Sequence, residues 1–367
     1  MAHDTLWLSD AHLRNRRGDE QFALRQCITA AKKHKVKQVI ATGDLTDRQT
    51  NRSLPISFWM KQIDRLEEAG IAFWFLQGNH DEDEPPWLSA HRHAKHLHNR
   101  SVQVGPYTGF GLDFQPFGKL QEVLPELPAE ANLLICHQAW SEWMHFDDVP
   151  QGDFAQVPGH FSHVFSGDYH RKKVDKCKNA DGDKMICASV GATCAQKIDE
   201  PHEHYYCLIG DDGQLRFEKL HSRVYIEWPV MNRPDDLDQF MEEYDSELAR
   251  AEQHAAANDY PETLVRPYLR VTYSHKLNDA VARVTKAVGE RAILYWKEIP
   301  PEDKQPTKNK PAKVGKEEAV TPLSVLAQEV DKEKEPEVFE LCTRLLQAPA
   351  TFKEEFARWK AERLLEG

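Results

Sequence analysis

Apolar residues fall in short runs separated by longer stretches of helical spacing. Thr5–Ser9, Gln38–Thr42, Ala72–Leu76, Asn132–Cys136 and His163–Phe165 are brief apolar segments that predict strands. Gln21–Lys33 and Ile56–Glu68 repeat apolar positions with the period of a helix. Strands alternating with helices of this length predict βαβ units in a layered α/β sheet structure. Farther on, Lys184–Val190, Tyr205–Ile209 and Gln214–Lys219 read as antiparallel strands, with a hairpin signal at Asp211-Asp212-Gly213.

The pattern changes near residue 226. Asp235–Ala257 is a long charged helix, Tyr268–Tyr273 a strand, Lys276–Val288 a helix and Ala292–Trp296 a strand. Residues 226–300 are therefore expected to form a small α+β capping domain after a 1–225 main domain. Pro300–Glu318 is rich in Pro and Lys with few apolar residues, so 301–320 is expected to be a flexible linker. Leu323–Val330, Glu337–Leu346 and Thr351–Leu365 predict a helical segment over 321–367, with Phe352, Phe356 and Trp359 on one face.

The strand ends carry the chemistry. Five of them deliver Asp10-Ala11-His12, Gly43-Asp44-Leu45-Thr46-Asp47, Gly78-Asn79-His80-Asp81, His137 and Gly167-Asp168-Tyr169-His170. Ligands of open α/β sheets gather outside the carboxyl ends of strands, so these loops are expected to converge on one crevice. Glycines before Asp44, Asn79 and Asp168 suit sharp turns out of the sheet. The set mixes carboxylates, imidazoles and an amide, which suits Mn²⁺, Fe or Zn²⁺. So many donors can hold two ions roughly 3.5–4 Å apart, and such a pair polarises a phosphoryl oxygen and generates a nucleophile from water.

In this order, DxH, GDxxD, GNHD, a lone His and a fifth motif resemble the calcineurin-like metallophosphoesterases, over roughly residues 4–220. The small unit after the main domain, the linker and the terminal helices resemble, by layout, the Mre11/SbcD DNA repair nucleases of that superfamily, and Gly191–Glu200 resembles the loop after their last motif. The resemblance implies a layered β-sandwich flanked by helices. It implies Asp10, His12 and His170 on one ion, Asp44 bridging, and Asn79, His137 and Asp168 on a second. Mn²⁺ is the expected metal, with Mg²⁺ as the alternative. His80 would steady the scissile phosphate and protonate the leaving 3′-oxygen, with Asp81 and Asp47 orienting neighbouring histidines. The implied activity is 3′→5′ exonuclease and single-strand or hairpin endonuclease action, in break repair or recombination with a Rad50/SbcC-like ATPase. The helix around 55–69 would form a homodimer contact, and Phe352, Phe356 and Trp359 would dock on the ATPase. Another phosphatase of the superfamily, or a weakly catalytic scaffold, remains an alternative.

One ligand departs from the pattern. The family has GHxH where this chain has Gly167-Asp168-Tyr169-His170. Asp168 as ligand, His163 as substitute and a damaged site are the three readings.

Composition modifies the picture only in part. The 367 residues carry 47 Lys and Arg against 59 Asp and Glu, a net charge of −12, which by itself argues against nucleic acid as a partner. Basic residues nevertheless flank the crevice at Arg14, Arg16, Arg17, Arg171, Lys172 and Lys173, where phosphate contacts are expected. The His-rich 91–98 segment is expected to be an amphipathic surface helix, and Trp140, Trp143, Met144 and Phe146 to wall the site, stack on a base or simply pack in a loop. The seven cysteines are odd in number and contain no CxxC, the N-terminus shows no signal peptide and no run is long enough to span a bilayer, so a cytoplasmic location is expected.

Overall fold

The computed structural model describes residues 3–14, 18–47, 53–81, 83–116, 118–144, 152–196, 200, 203–277 and 279–299. The expected linker and terminal helices, with Phe352, Phe356 and Trp359, lie outside the described residues, as do Arg16, Arg17 and Phe146.

Two six-stranded sheets face each other. The first is built from β1 (His3–Leu8), β2 (Gln38–Thr42), β3 (Ala72–Leu76), β4 (Ala94–His96), β11 (Tyr205–Gly210) and β12 (Leu215–Lys219), in the order β12-β11-β1-β2-β3-β4. The second is built from β5 (Ser101–Val104), β6 (Tyr107–Leu112), β7 (Leu133–His137), β8 (His163–Gly167), β9 (Lys173–Lys178) and β10 (Lys184–Ser189), in the order β5-β6-β7-β8-β10-β9. The inner strands are parallel: β1 with β2, β2 with β3, β6 with β7, and β7 with β8.

Alternation explains why the central strands are apolar throughout. Leu6, Leu8, Val39, Ala41, Phe73 and Phe75 point outward, into a core shared with α1 (Asp19–His34) and α2 (Ser53–Glu68). Trp7, Ile40, Leu76, Leu133, Ile135 and Phe165 point inward, into the layer between the sheets. There Trp7 of β1 stacks on Phe165 of β8 at 4.8 Å, which sets the separation of two strands that each end in proposed ligands. Leu134 and Cys136 face a third core with Trp140, Trp143, Phe154, Phe161 and Leu120 of the short α3 (Lys119–Val123).

The His-rich segment is not a helix. Trp87–Ala90 makes one 3₁₀ turn and Ala94–His96 is β4, paired in parallel with β3. An open edge on β3 and partners on both sides decide this. His93 Nε2 lies 2.7 Å from the Ile71 carbonyl, and His96 Nε2 lies 2.7 Å from Asp113.

Beyond β12 comes a three-stranded parallel sheet of β13 (Tyr225–Glu227), β14 (Tyr268–Ser274) and β15 (Ile293–Ile299). Its crossovers are α4 (Pro234–Ala257), the short α5 (Glu262–Val265) and α6 (Ala280–Val288), packed on a core of its own around Phe240, Leu269, Val271 and Val284. Asp236 starts α4 by accepting the backbone N–H groups of Asn232 and Arg233 at 2.8 and 2.9 Å. This sheet is tied back to α1. Asp19 accepts from Arg223 Nε at 2.9 Å and from the Tyr268 hydroxyl at 3.2 Å.

Candidate metal centre

Five strands of the two sheets end on one side of the inter-sheet layer. There the chain turns sharply, and Asp10, His12, Asp44 and Asp168 all take left-handed φ angles of 50°, 40°, 50° and 73°. Strained non-glycine backbone clusters where a site demands it. The neighbouring glycines serve two purposes. Gly43 needs both its φ of 85° and space, since a Cβ there would meet His137 Nδ1 at 2.3 Å, whereas Gly167 needs space alone. A Cβ on Gly167 would meet the Thr42 carbonyl at 2.2 Å and His137 Nδ1 at 2.6 Å. The turn explanation therefore holds for Gly43, and close packing explains Gly167.

Side chains from these turns converge. His12 Nε2 lies 3.2 Å from His170 Nε2 and 3.3 Å from Asp44 Oδ2. His170 Nε2 lies 3.7 Å from Asp10 Oδ1. On the other side of Asp44, His137 Nε2 lies 3.5 Å from Asp44 Oδ1 and 3.7 Å from Asp168 Oδ1. Asp44 thus stands between Asp10, His12 and His170 on one side and Asn79 and His137 on the other, with Asp168 beside His137 and Asp10 also close to Asp44 and His137.

The buried atoms fit cations. Asp10 Oδ2 and His137 Nε2 are sealed from solvent without a hydrogen-bond partner. The Asn79 amide lies 3.1 Å from both carboxylate oxygens of Asp44 and, with its nitrogen toward them, donates to both. Charge follows the same logic. Burial raises Asp10 to about 6, partly offset by His137 and His170. Burial also opposes ionisation of Asp44, but His137 and His12 outweigh it and hold Asp44 well below the usual carboxylate range. His12 is pushed down to about 3 by burial, leaving a neutral imidazole ready to ligate.

The surrounding residues orient this set. The Thr42 carbonyl, 2.7 Å from His137 Nδ1, fixes the ring so that Nε2 points inward. Glu200 Oε1, 2.9 Å from His170 Nδ1, does the same for the second ring. Burial disfavours charge on His170, but Glu200 and Asp10 outweigh it and raise the imidazole to about 9. Glu200 closes the Gly191–Glu200 loop, and nothing in the sequence pairs it with His170, thirty residues earlier.

His80 stands at the mouth, with a third of its side chain exposed. Its Nδ1 lies 3.6 Å from Asp47 Oδ1, and its backbone N–H donates to Asp44 Oδ1 at 2.9 Å. His80 is near enough to His12 and Asp44 to join a ligand group, so proximity alone does not set its role; what sets it apart is its exposure at the mouth, where His12 and Asp44 are buried. Asp47 also pairs with Arg14 Nε at 2.7 Å, so this arginine is engaged inside the site rather than extended toward solvent.

One expectation needs correction, and two open readings are decided. Asp81 orients no histidine. It is buried and accepts from the backbone N–H groups of Leu45, Thr46 and Gly78 at 2.8, 3.1 and 3.3 Å, clamping two ligand loops together. His163 is not a substitute ligand: it begins β8, at the end of the strand opposite Asp168, with its ring 4.2 Å from Tyr107. Trp140 and Trp143 are 0% and 2% exposed, so of the readings open to them the packing one holds. Arg171 and Lys172 are exposed after the fifth motif, and Lys172 Nζ sits 4.0 Å over the Tyr205 ring.

A sequence profile of the calcineurin-like phosphoesterases matches residues 4–189, slightly more than half of the chain. The chain belongs to that family, whose members use a dinuclear metal site. Among curated proteins it is similar to the DNA double-strand break repair protein Mre11 of Sulfurisphaera tokodaii, with 27% identity over 204 residues, covering 49% of this chain and 51% of that one. It is also similar to Mre11 of Methanosarcina mazei, 27% identical over 219 residues, covering 55% of this chain and 34% of that one. The chain thus spans about half or less of the length of these relatives. A solved protein of Thermus thermophilus superposes with a TM-score of 0.41 at 14% identity, over 60% of this chain and 100% of that one. Among the described residues no helix is long and apolar enough to cross a membrane.

Proposed function

We propose that this chain is an Mre11-type DNA nuclease that hydrolyses phosphodiester bonds, as a 3′→5′ exonuclease and as an endonuclease on single strands or hairpins. One observation carries the reading: seven donor side chains from five strand ends meet around Asp44, with His80 beside them at the mouth. The similarity to Mre11 proteins supports DNA as the substrate. Asp10, His12 and His170 would hold one divalent cation, Asn79, His137 and Asp168 the other, and Asp44 would serve both. The pair, Mn²⁺ in this proposal, would neutralise phosphate charge and activate water. His80 donates a proton to the leaving 3′-oxygen, and Asp47, with Oδ1 3.6 Å from Nδ1, stands beside its ring. The fold around 225–299 would act as a capping domain. The outer face of α2, where Leu54 is 55% exposed, would make the homodimer contact, and a Rad50-like ATPase would be the partner.

His80→Asn tests the assignment. Expected is a loss of Mn²⁺-dependent cleavage of end-labelled DNA of about 10²–10⁴-fold, the usual contribution of a positioned general acid, with metal binding retained. Unchanged cleavage would refute the role of His80. Rapid turnover of a small phosphodiester with no action on DNA would refute the substrate.

A further inference from the structure

The two cation positions differ in donor chemistry. Asp10, Asp44, His12 and His170 offer two oxygens and two nitrogens. Asp44, Asn79, Asp168 and His137 offer three oxygens and one nitrogen. We propose that Asp168 tunes the second position toward hard, oxygen-seeking divalent cations, Mg²⁺ and Mn²⁺, and away from Zn²⁺. The inference rests on the metal-centre reading above but not on DNA being the substrate.

Four observations support it. First, Asp168 is held in place. Its φ of 73° turns it out of β8, and the Cβ-free Gly167 before it is pressed against Thr42 and His137. Second, its Oδ1 is 3.7 Å from His137 Nε2, which itself lies 3.5 Å from Asp44 Oδ1. Third, His163 does not substitute for it: that residue lies at the far end of β8 with Ser162 Oγ 2.9 Å from its Nδ1. Fourth, the centre gathers three buried or half-buried carboxylates, Asp10, Asp44 and Asp168. A carboxylate replaces neutral imidazole there with a hard anionic donor. Zn²⁺ outcompetes Mn²⁺ at almost any mixed N/O site, and its advantage narrows as nitrogen gives way to carboxylate oxygen.

The test is binding, read without DNA. Metal-free protein would be titrated with Mn²⁺, Mg²⁺ and Zn²⁺ against a competing indicator, and bound Mn²⁺ counted by electron paramagnetic resonance. In Asp168→His the Zn²⁺/Mn²⁺ affinity ratio of the second event should rise by about tenfold or more, with the first event unchanged. Asp168→Asn keeps an oxygen donor, so affinities should fall together while the ratio stays within about twofold of wild type. Asp168→Ala should weaken the second Mn²⁺ event by about tenfold or more. A ratio unmoved in Asp168→His would overturn the proposal, as would an unchanged second event in Asp168→Ala. If Asp168→His loses both events through a collapsed fold, the alanine variant still decides. Intact, selective binding without DNA cleavage would count against the nuclease reading alone.

Discussion

Asp81 illustrates how one carboxylate can support a site without touching the chemistry. Its oxygens hold the N–H groups of Leu45, Thr46 and Gly78, which lie in the loops carrying Asp44 and Asn79. Asp81→Ala leaves three buried donors unpaired, so a loss of about 2–4 kcal/mol is expected in urea denaturation, with Asp81→Asn milder. Glu200 acts on the other side. Cation binding needs neutral His170, and its pKa is raised from 6.5 to about 9 in the metal-free fold. Proton competition therefore weakens metal binding below about pH 9, and apparent affinity should rise with pH across that window. Glu200→Gln removes the hydrogen-bonded carboxylate, so competition should begin at lower pH and calorimetry near neutrality should show fewer protons released. An unaltered proton count would disprove the coupling. These two residues also mark what could be read from the chain. The DxH, GDxxD and GNHD spacings are local, so the donor side chains that the structure brings together were legible. Asp81's true partners and Glu200's histidine are set by loop closure, which no local spacing records.

Strands buried on both faces announce themselves as unbroken apolar runs, which is why β1, β2, β3, β7 and β8 were legible. The strands β4, β5, β6 and β9 were not. β6 is interrupted by Gly109 and Gly111, whose missing side chains make room for Ile135 and Leu97, and β9 is an edge strand dense in lysine. Their identity comes from the neighbour they pair with. Close packing makes the β8 terminus intolerant: Gly167→Ala should cost about 1–3 kcal/mol and weaken metal binding, because Thr42 and His137 cannot retreat. At the opposite end of the sheet, Asp4 ties β1 to Lys37 Nζ at 2.6 Å and to the Gly105 N–H at 3.1 Å. Burial opposes its ionisation, but Lys37 and Gly105 prevail and lower it below 3.8. A carboxylate lowered on folding adds stability above its unfolded pKa and loses it as pH falls through the folded value. Thermal stability should thus fall more steeply below about pH 4 in wild type than in Asp4→Asn. Parallel acid branches would reject the assignment.

The chain carries a net charge of −12, with three carboxylates around the proposed cations and Asp19 beneath the third sheet among its 59 acidic residues. DNA binding by the proposed nuclease should therefore be weak without divalent metal and fall steeply with salt. Asp19 also links the two parts of the described molecule. It starts α1, five residues beyond Arg14. The Arg223 side chain, 2% exposed, spans from Asp19 to the Arg266 carbonyl before β14. Removing one partner of a buried pair strands the other, so Arg223→Ala should destabilise the fold by about 3–5 kcal/mol. Arg250→Ala is the control: its pairing with Glu247 is exposed, and a change below about 1 kcal/mol is expected. Limited proteolysis sharpens the comparison. If Arg223 holds the third sheet to α1, cleavage in Arg223→Ala should appear first between Leu220 and Tyr225, where chain passes from β12 to β13. Equal resistance of the two variants would mean that the sheet is held by its other contacts, Tyr268 on Asp19 and Phe22 on Tyr260.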